Sequence, residues 1–172
     1  LLRVQGLLGP DGVVTGVLGG GRGVTDRVRW VPWGDELVPA LDPDAPWPGR
    51  LPAPFPATVP RKPLPARVFD DAGGEVGVSG RHRLTAVPRR VSVDGGPSRR
   101  VHAWSGPWTA VERWWVETDE HRLAWLQVVL SGRLSGRHGG NDSTDTAEGA
   151  DDTEAFLLRR ERGQWLVEGV YD

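Results

Sequence analysis

Few side chains in this 172-residue sequence could carry out catalysis, and carboxylates are the main candidates. Two carboxylates can divide the roles of general acid and general base when their environments push their pKa values apart. Glu112 could form such a pair with Glu117 or Asp119, but the spacing alone does not bring them into one cleft. Carboxylates on a solvated turn, with Glu112 paired to a nearby arginine, explain the same residues more simply. Because HExxH, GxSxG and comparable catalytic spacings are also missing, we predict that the protein is not an enzyme.

Metal and cofactor chemistry has equally little support in the sequence. The chain has no cysteine, which excludes disulfides, thiol catalysis and cysteine-based zinc sites. His121 follows Asp119-Glu120 and precedes Arg122, a pattern more typical of a surface turn than of a metal site. The glycine-rich residues 19–23 could cradle a phosphate, but the Lys-Ser/Thr pair of a P-loop is missing and no helix pattern follows. We therefore expect no metal and no cofactor, and a flexible hairpin connection at these glycines.

Nucleic-acid binding has a better case, because arginines flank predicted strands and tryptophans are interleaved with them. Small barrels of the OB type bind single strands through basic grooves and aromatic platforms. The alternative is that these arginines form the solvated outer face of a sheet while the tryptophans fill the core. The candidate nucleic-acid-binding residues are Arg81, Arg83, Arg89, Arg90, Arg99 and Arg100.

Tryptophan is the most distinctive residue type of the chain, with nine copies against one tyrosine and three phenylalanines. Trp114 and Trp115 are adjacent, so in an extended segment they point to opposite faces and cannot both enter one core. One of them is then free to face a partner. Interface hot spots favour Trp and Arg in desolvated pockets. The candidate protein-binding residues are Trp108, Glu112, Arg113, Trp114 and Trp115.

Charge is unevenly distributed behind the net value of −2. Residues 139–154 contain six acidic residues and no basic one, whereas the rest of the C-terminal half carries a modest basic surplus. A surplus of this size permits nucleic-acid contact, but it is smaller than the strongly basic charge typical of nucleic-acid-binding domains. No apolar run is long enough to span a membrane. The start, Leu1-Leu2-Arg3, has neither an initiator methionine nor a signal-peptide layout, so we expect a fragment of a longer cytoplasmic protein.

The first 65 residues are predicted to form two regions. Residues 1–38 begin with a helical stretch closed by Gly9-Pro10, and then contain two strands, 13–18 and 28–33, around the glycine loop. Residues 39–65 contain ten prolines and should run extended with polyproline II character. We expect this segment to be a strap with Trp47 and Phe55 as anchors, because a pure linker seldom contains large aromatic residues.

The remaining residues, 66–172, show the recurring short strands and turn signals of a small all-β domain. The predicted fold class is mainly β: a small antiparallel β-barrel or sandwich of OB or SH3 size, with an N-terminal α/β segment and the proline-rich strap. Residues 134–153 have the composition of a disordered acidic loop. The predicted strands are 66–69, 75–79, 84–87, 89–93, 99–104, 121–130, 155–160 and 164–171.

Several sequence blocks occur in a characteristic order. The first group is Val4-Gln5-Gly6-Leu7-Leu8-Gly9, Gly20-Gly21-Arg22, Asp26-Arg27-Val28, Val31-Pro32-Trp33-Gly34-Asp35 and Trp47-Pro48-Gly49-Arg50-Leu51-Pro52-Ala53-Pro54. The second group is Val93-Asp94-Gly95-Gly96-Pro97, Ala103-Trp104-Ser105-Gly106-Pro107-Trp108, Glu112-Arg113-Trp114-Trp115 and Trp165-Leu166-Val167-Glu168-Gly169-Val170-Tyr171-Asp172. Together these blocks resemble the C-terminal region of actinobacterial ImuB proteins, over nearly the whole chain except the acidic stretch.

The resemblance implies a catalytically inactive, Y-family-polymerase-like adaptor that serves in damage-induced mutagenic translesion synthesis, as part of the SOS response and DNA repair. In that family the adaptor connects the sliding clamp, a RecA-like accessory protein and an error-prone C-family DNA polymerase. The clamp-binding peptide and the polymerase-like body are expected upstream, so residues 1–38 would be the end of the polymerase-like region. The resemblance further implies a cytoplasmic protein that associates with the nucleoid on DNA damage, whose C-terminal part binds partner proteins.

Overall fold

The chain divides into two units, residues 1–55 and 56–172, and each is described by itself. The computed structural model describes residues 2–112, 121–132 and 153–171, without the side chains of Glu112 and His121. The division falls inside the proline-rich segment, so the two halves of this segment belong to different units. The predicted acidic loop, 134–153, lies outside the described residues apart from Thr153, where a strand begins.

The first unit is a helix followed by a β-hairpin. Helix α1 (Leu2–Leu8) ends before a 3-10 turn, and strands β1 (Val14–Leu18) and β2 (Val28–Pro32) pair antiparallel, with Val14 opposite Pro32. The Gln5 side chain donates a hydrogen bond to the Trp33 carbonyl at 2.9 Å, which ties the helix to the end of the hairpin. The helix and the two strands predicted for this region are therefore present.

The glycine loop between β1 and β2 is buried rather than flexible. Gly19, Gly20 and Gly21 are all shielded from solvent, and the Gly20 amide donates to the Leu41 carbonyl at 2.9 Å. A Cβ atom at Gly20 would collide with the Asp42 carbonyl oxygen and the Trp47 ring nitrogen. Glycine is thus required for close packing, which corrects the flexibility that we expected from composition alone.

Each half of the proline-rich segment contacts its own unit. In the first unit the Trp47 ring nitrogen donates to the Asp42 carbonyl at 3.0 Å, and the Phe55 ring lies 3.9 Å from the Arg27 guanidinium. Leu51, an additional buried anchor, is only 4% exposed. In the second unit Thr58 exchanges two backbone hydrogen bonds with Val170. Side chains therefore hold the part of the segment in the first unit, and backbone hydrogen bonds hold the part in the second.

The second unit is a closed antiparallel barrel of six strands in sequential order. Ala66 pairs with Val93 on one side and with Trp165 on the other, so the first strand meets the last and the sheet has closed on itself. This result confirms the mainly β fold class and selects a barrel over a sandwich. The strands are β3 (Leu64–Phe69), β4 (Arg90–Val93), β5 (Arg99–Glu112), β6 (His121–Ser131), β7 (Thr153–Glu161) and β8 (Gln164–Tyr171).

The barrel core consists of alternate residues from every strand, as a period of two along each strand requires. Trp165 closes one end, where its ring nitrogen donates to the Val76 carbonyl at 2.8 Å. The core residues are Ala66, Val68, Val76, Val91, Val93, Val101, Leu126, Val128, Leu130, Phe156, Leu158, Trp165 and Val167.

Two predicted strands, 75–79 and 84–87, are absent and form a loop over the barrel end instead. The alternating Val76 and Val78 mimic a strand, but in the structure they reach into the core or against it from this loop. Backbone amides of the loop find their acceptors nearby. The Val76 amide donates to the Val68 carbonyl, and the Gly77 amide donates to the Thr85 hydroxyl. Only isolated bridges remain, at Phe69–Glu75 and Val78–Leu84.

Candidate functional site

An exposed apolar groove lies where β5 meets the loop 82–87. Its volume is about 390 Å³, and we call it the tryptophan groove because Trp104 forms one side. Trp104 is 41% exposed and Val87 is 50% exposed. The groove is lined by His82, Arg83, Leu84, Ala86, Val87, Trp104 and Pro107.

Strand register explains why Trp104 stands at this position. Trp104 pairs directly with Val128, a fully buried core residue, so both side chains lie on the core-facing side of the sheet. A register shift between Val101 and Ala103 precedes it, and another follows between Ser105 and Trp108. The strand is therefore irregular on both sides of Trp104, which is left partly uncovered beyond the edge of the core.

A second, more polar cavity shares His82 with the tryptophan groove. Its volume is about 310 Å³, and we call it the arginine cavity because Arg122, Arg160 and Arg162 line it. The remaining lining residues are Val78, Ser79, Thr109, Ala110, Leu123, Ala124 and Gly163. Apolar and cationic surfaces thus adjoin on the loop that covers this part of the barrel.

The protein-binding residues predicted from the sequence are only partly described. Trp108 is half-buried on β5 and pairs with Trp125, whose side chain is 1% exposed. Glu112 is the last residue of β5, and nothing is described of its side chain. Arg113, Trp114 and Trp115 lie outside the described residues, as do the carboxylates Glu117 and Asp119 that could have formed an acid–base pair with Glu112.

Two of the predicted nucleic-acid-binding arginines lie side by side. Arg90 on β4 is directly opposite Arg100 on β5, and both are exposed. Like charges directly opposite each other on antiparallel strands are destabilising. This pair therefore concentrates positive charge on the outer surface of the barrel.

Arg89 and Arg99 are engaged in ion pairs. Arg89 contacts the Asp71 carboxylate at 3.2 Å on the surface. Arg99 faces inwards opposite Val91 and contacts Glu154 at 2.9 Å, with 9% of its side chain exposed. Loss of either partner would leave the other charge partly buried and uncompensated. Arg99 is therefore a structural residue of the barrel.

Arg81 and Arg83 are exposed and flank His82, which lines both cavities. The Ser79 amide donates to the Arg83 carbonyl at 2.8 Å, and the His82 amide donates back to the Ser79 carbonyl at 3.0 Å. Arg83 lines the tryptophan groove. The structure thus brings Arg83 to the tryptophan groove, leaves Arg81 outside the lining of both cavities, and pairs Arg90 with Arg100 on the barrel surface.

Sequence reasoning missed Trp104, Val87, Arg160 and Arg162 as site residues. A signal was available for Arg160, because it continues the inward series Phe156, Leu158 at the end of β7. A charged residue that ends an apolar alternation marks the mouth of a barrel. No comparable signal identifies Trp104, because its exposure depends on how much of its ring the loop 82–87 covers.

No family model, curated protein or solved structure matches this chain. Over the described residues, no group of three histidine, cysteine, aspartate or glutamate side chains could hold a metal ion. Within that same part of the chain, no helix is long and apolar enough to cross a membrane.

Proposed function

We propose that this chain is a non-catalytic protein-interaction module of a translesion-synthesis adaptor. It recruits a RecA-like accessory protein and an error-prone C-family DNA polymerase during damage-induced mutagenesis, in the cytoplasm and at the damaged nucleoid. Contact with the sliding clamp belongs to upstream regions of the adaptor. The resemblance to the C-terminal region of ImuB proteins motivates the identity of these partners.

The observation that carries the proposal is the uncovered Trp104 in the tryptophan groove. A tryptophan that faces the core side of its strand but remains 41% exposed leaves apolar area for another molecule to bury. Leu84, Ala86 and Val87 give the groove an aliphatic lining, and His82 and Arg83 are its polar members. An exposed aromatic side chain among apolar residues, with arginine beside it, has the composition of protein-interface hot spots.

Truncation of Trp104 tests the proposal directly. We expect Trp104→Ala in the full chain to weaken capture of at least one purified partner by about tenfold or more, since hot-spot residues contribute about 2 kcal/mol or more. Trp30→Ala is the matched control, because Trp30 is 67% exposed but belongs to the first unit. Trp114→Ala and Trp115→Ala test the segment that the sequence singles out.

The result is interpretable only if the variants remain folded, which far-ultraviolet circular dichroism and thermal unfolding check. Unchanged capture by folded Trp104→Ala, Trp114→Ala and Trp115→Ala would refute the proposed interaction surface. Equal losses in Trp104→Ala and Trp30→Ala would also count against it, because a general change in surface hydrophobicity would then explain both.

A single-stranded DNA-binding barrel is the second candidate, and the opposed Arg90–Arg100 pair favours it. Binding of DNA phosphates beside Arg90 and Arg100 would reduce the repulsion between these two cations. The expected signature is affinity for single-stranded DNA that falls steeply with salt and is lost on Arg90→Glu or Arg100→Glu. Arg67→Glu is a suitable control, because Arg67 is an exposed arginine already paired with Glu75 at 2.6 Å.

A further inference from the structure

The arginine cavity gathers three guanidinium groups from separate parts of the barrel. Arg122 lies near the start of β6, Arg160 near the end of β7, and Arg162 in the turn between β7 and β8. Arg160 pairs across the sheet with Ala124, which also lines the cavity. The end of β7 and its turn therefore bring two of the three cations to the same mouth of the barrel.

Arg160 is held in place by packing. Its guanidinium lies 5.6 Å from the centre of the Trp165 ring and rests against Gly77, where a Cβ atom would stand 3.0 Å from Nη2. The Arg160 side chain makes no hydrogen bond or ion pair within the described part of the chain. Desolvation by burial lowers the pKa of Arg160, while the nearby Glu75 carboxylate acts in the opposite direction. Glu75 itself bonds to Arg67 at 2.7 Å.

The other polar groups of the cavity suit an anion. Ser79 and Thr109 contribute hydroxyl groups, and His82 contributes an imidazole. His82 adopts a φ of 60°, a conformation rare outside glycine, in the turn that begins at Ser79. The described lining residues include no carboxylate. Among the described lining residues, the formal charges are therefore the positive charges of the three arginines.

We propose that the arginine cavity binds a phosphoryl group, in the form of inorganic phosphate or a phosphate monoester. Planar guanidinium groups donate paired hydrogen bonds to phosphate oxygens, and several of them together match a dianion better than a single carboxylate. The volume of about 310 Å³ is at the lower end of the range for ligand pockets, which fits a small anionic group. The tryptophan groove, which shares His82, would receive the organic part of a monoester.

Calorimetric titration of the full chain with inorganic phosphate, adenosine 5′-monophosphate and adenosine tests this inference. Phosphate and the nucleotide should bind, whereas adenosine should not. Arg160→Gln and Arg162→Asn should each weaken binding by about tenfold, the effect of removing a charge-assisted hydrogen bond. Arg162→Asn keeps the fold, because Arg162 is exposed and asparagine tolerates its φ of 48°. Arg61→Gln is the control, because Arg61 is exposed and lines neither cavity.

The two sources of the phosphoryl group are separated by comparing oligonucleotides with and without a 5′-phosphate. A preference for the phosphorylated end, lost in Arg162→Asn, assigns the cavity to nucleic-acid termini; binding of phosphate and nucleotide without this preference assigns it to small phosphates. The inference is overturned if neither phosphate nor the nucleotide binds, or if binding is unchanged in both Arg160→Gln and Arg162→Asn. It is independent of the proposed adaptor function, since partner capture depends on Trp104 and not on these arginines.

Discussion

Glu168 is the one buried charged side chain among the described residues, with 1% of its surface exposed. Its carboxylate accepts a hydrogen bond from the Trp125 ring nitrogen at 2.5 Å and lies 4.0 Å from the Arg159 guanidinium. Both Trp125 and Glu168 lie outside the core cluster that fills the barrel. A buried carboxylate is tolerated only when donors compensate for its lost hydration. The contact between β6 and β8 therefore depends on a polar pair as well as on apolar packing.

Removal of the Trp125 donor should destabilise the barrel. Trp125→Phe removes one of the donors to the buried Glu168 carboxylate, so we expect a loss of about 1–3 kcal/mol in the free energy of unfolding. Urea denaturation followed by circular dichroism measures it, with Trp30→Phe as the exposed control. A Trp125→Phe variant as stable as the wild type would show that the hydrogen bond contributes nothing.

Tyr171, the single tyrosine of the chain, should titrate above its ordinary pKa of about 10. Burial raises the pKa of its hydroxyl because the phenolate is the form that burial disfavours. The folded state therefore holds this proton more tightly, and the resulting stability is present below the unfolded pKa and lost as pH rises through the folded one. Ultraviolet difference titration measures the pKa, and Tyr171→Phe should flatten the alkaline loss of stability. A midpoint at the value of free tyrosine would contradict the burial.

Gly20 illustrates at the level of elements how one small residue fixes a loop. Gly20→Ala should disrupt the first unit, because a methyl group has no room between Asp42 and Trp47. Gly6→Ala in α1 is the matched control, since nothing lies within 4 Å of a Cβ there and alanine favours helix. Hydrogen exchange of the Gly20 amide, which bonds to Leu41, reports the effect. Equal protection in both variants would rule out close packing as the role of this glycine.

The sequence predicts correctly those strands whose own residues alternate between apolar and polar or are bounded by turn residues. Strands β6 and β8 are found within one residue of their bounds because their apolar pattern is long. Residues 75–79 carry the same pattern but have no ladder, since their backbone partners come from Val68 and Thr85. In the opposite direction, β5 extends to Glu112, whereas the sequence predicts a strand over 99–104 only. Tertiary contacts override local signals in both cases.

At the scale of the whole molecule, the division into two units predicts independent folding of the barrel. A fragment of residues 56–172 keeps all six barrel strands and the Thr58–Val170 bridge. We expect it to unfold cooperatively, with the β-rich circular dichroism of the full chain. A fragment that stays unfolded would show that the barrel requires residues 1–55.

The candidate site could be predicted only in part, since it depends on which residues the fold brings together. The sequence identifies Arg83, which lines the tryptophan groove, but on β5 it singles out Trp108 rather than Trp104. Arg160 and Arg162 are distant in sequence from His82, and only closure of the barrel makes them neighbours. The sequence places Arg99 in one group with Arg100, but adjacent residues on a strand face opposite sides and Arg99 is turned inwards.

Parallel binding assays on the full chain test the central claim most directly. The RecA-like accessory protein and the C-family polymerase are each titrated in pull-downs, and labelled single-stranded DNA is titrated by fluorescence anisotropy at two salt concentrations. The adaptor account predicts capture of a partner that is lost in Trp104→Ala and kept in Trp30→Ala, without appreciable affinity for DNA. Salt-sensitive DNA binding with no capture of either protein would contradict it and make the barrel a nucleic-acid module.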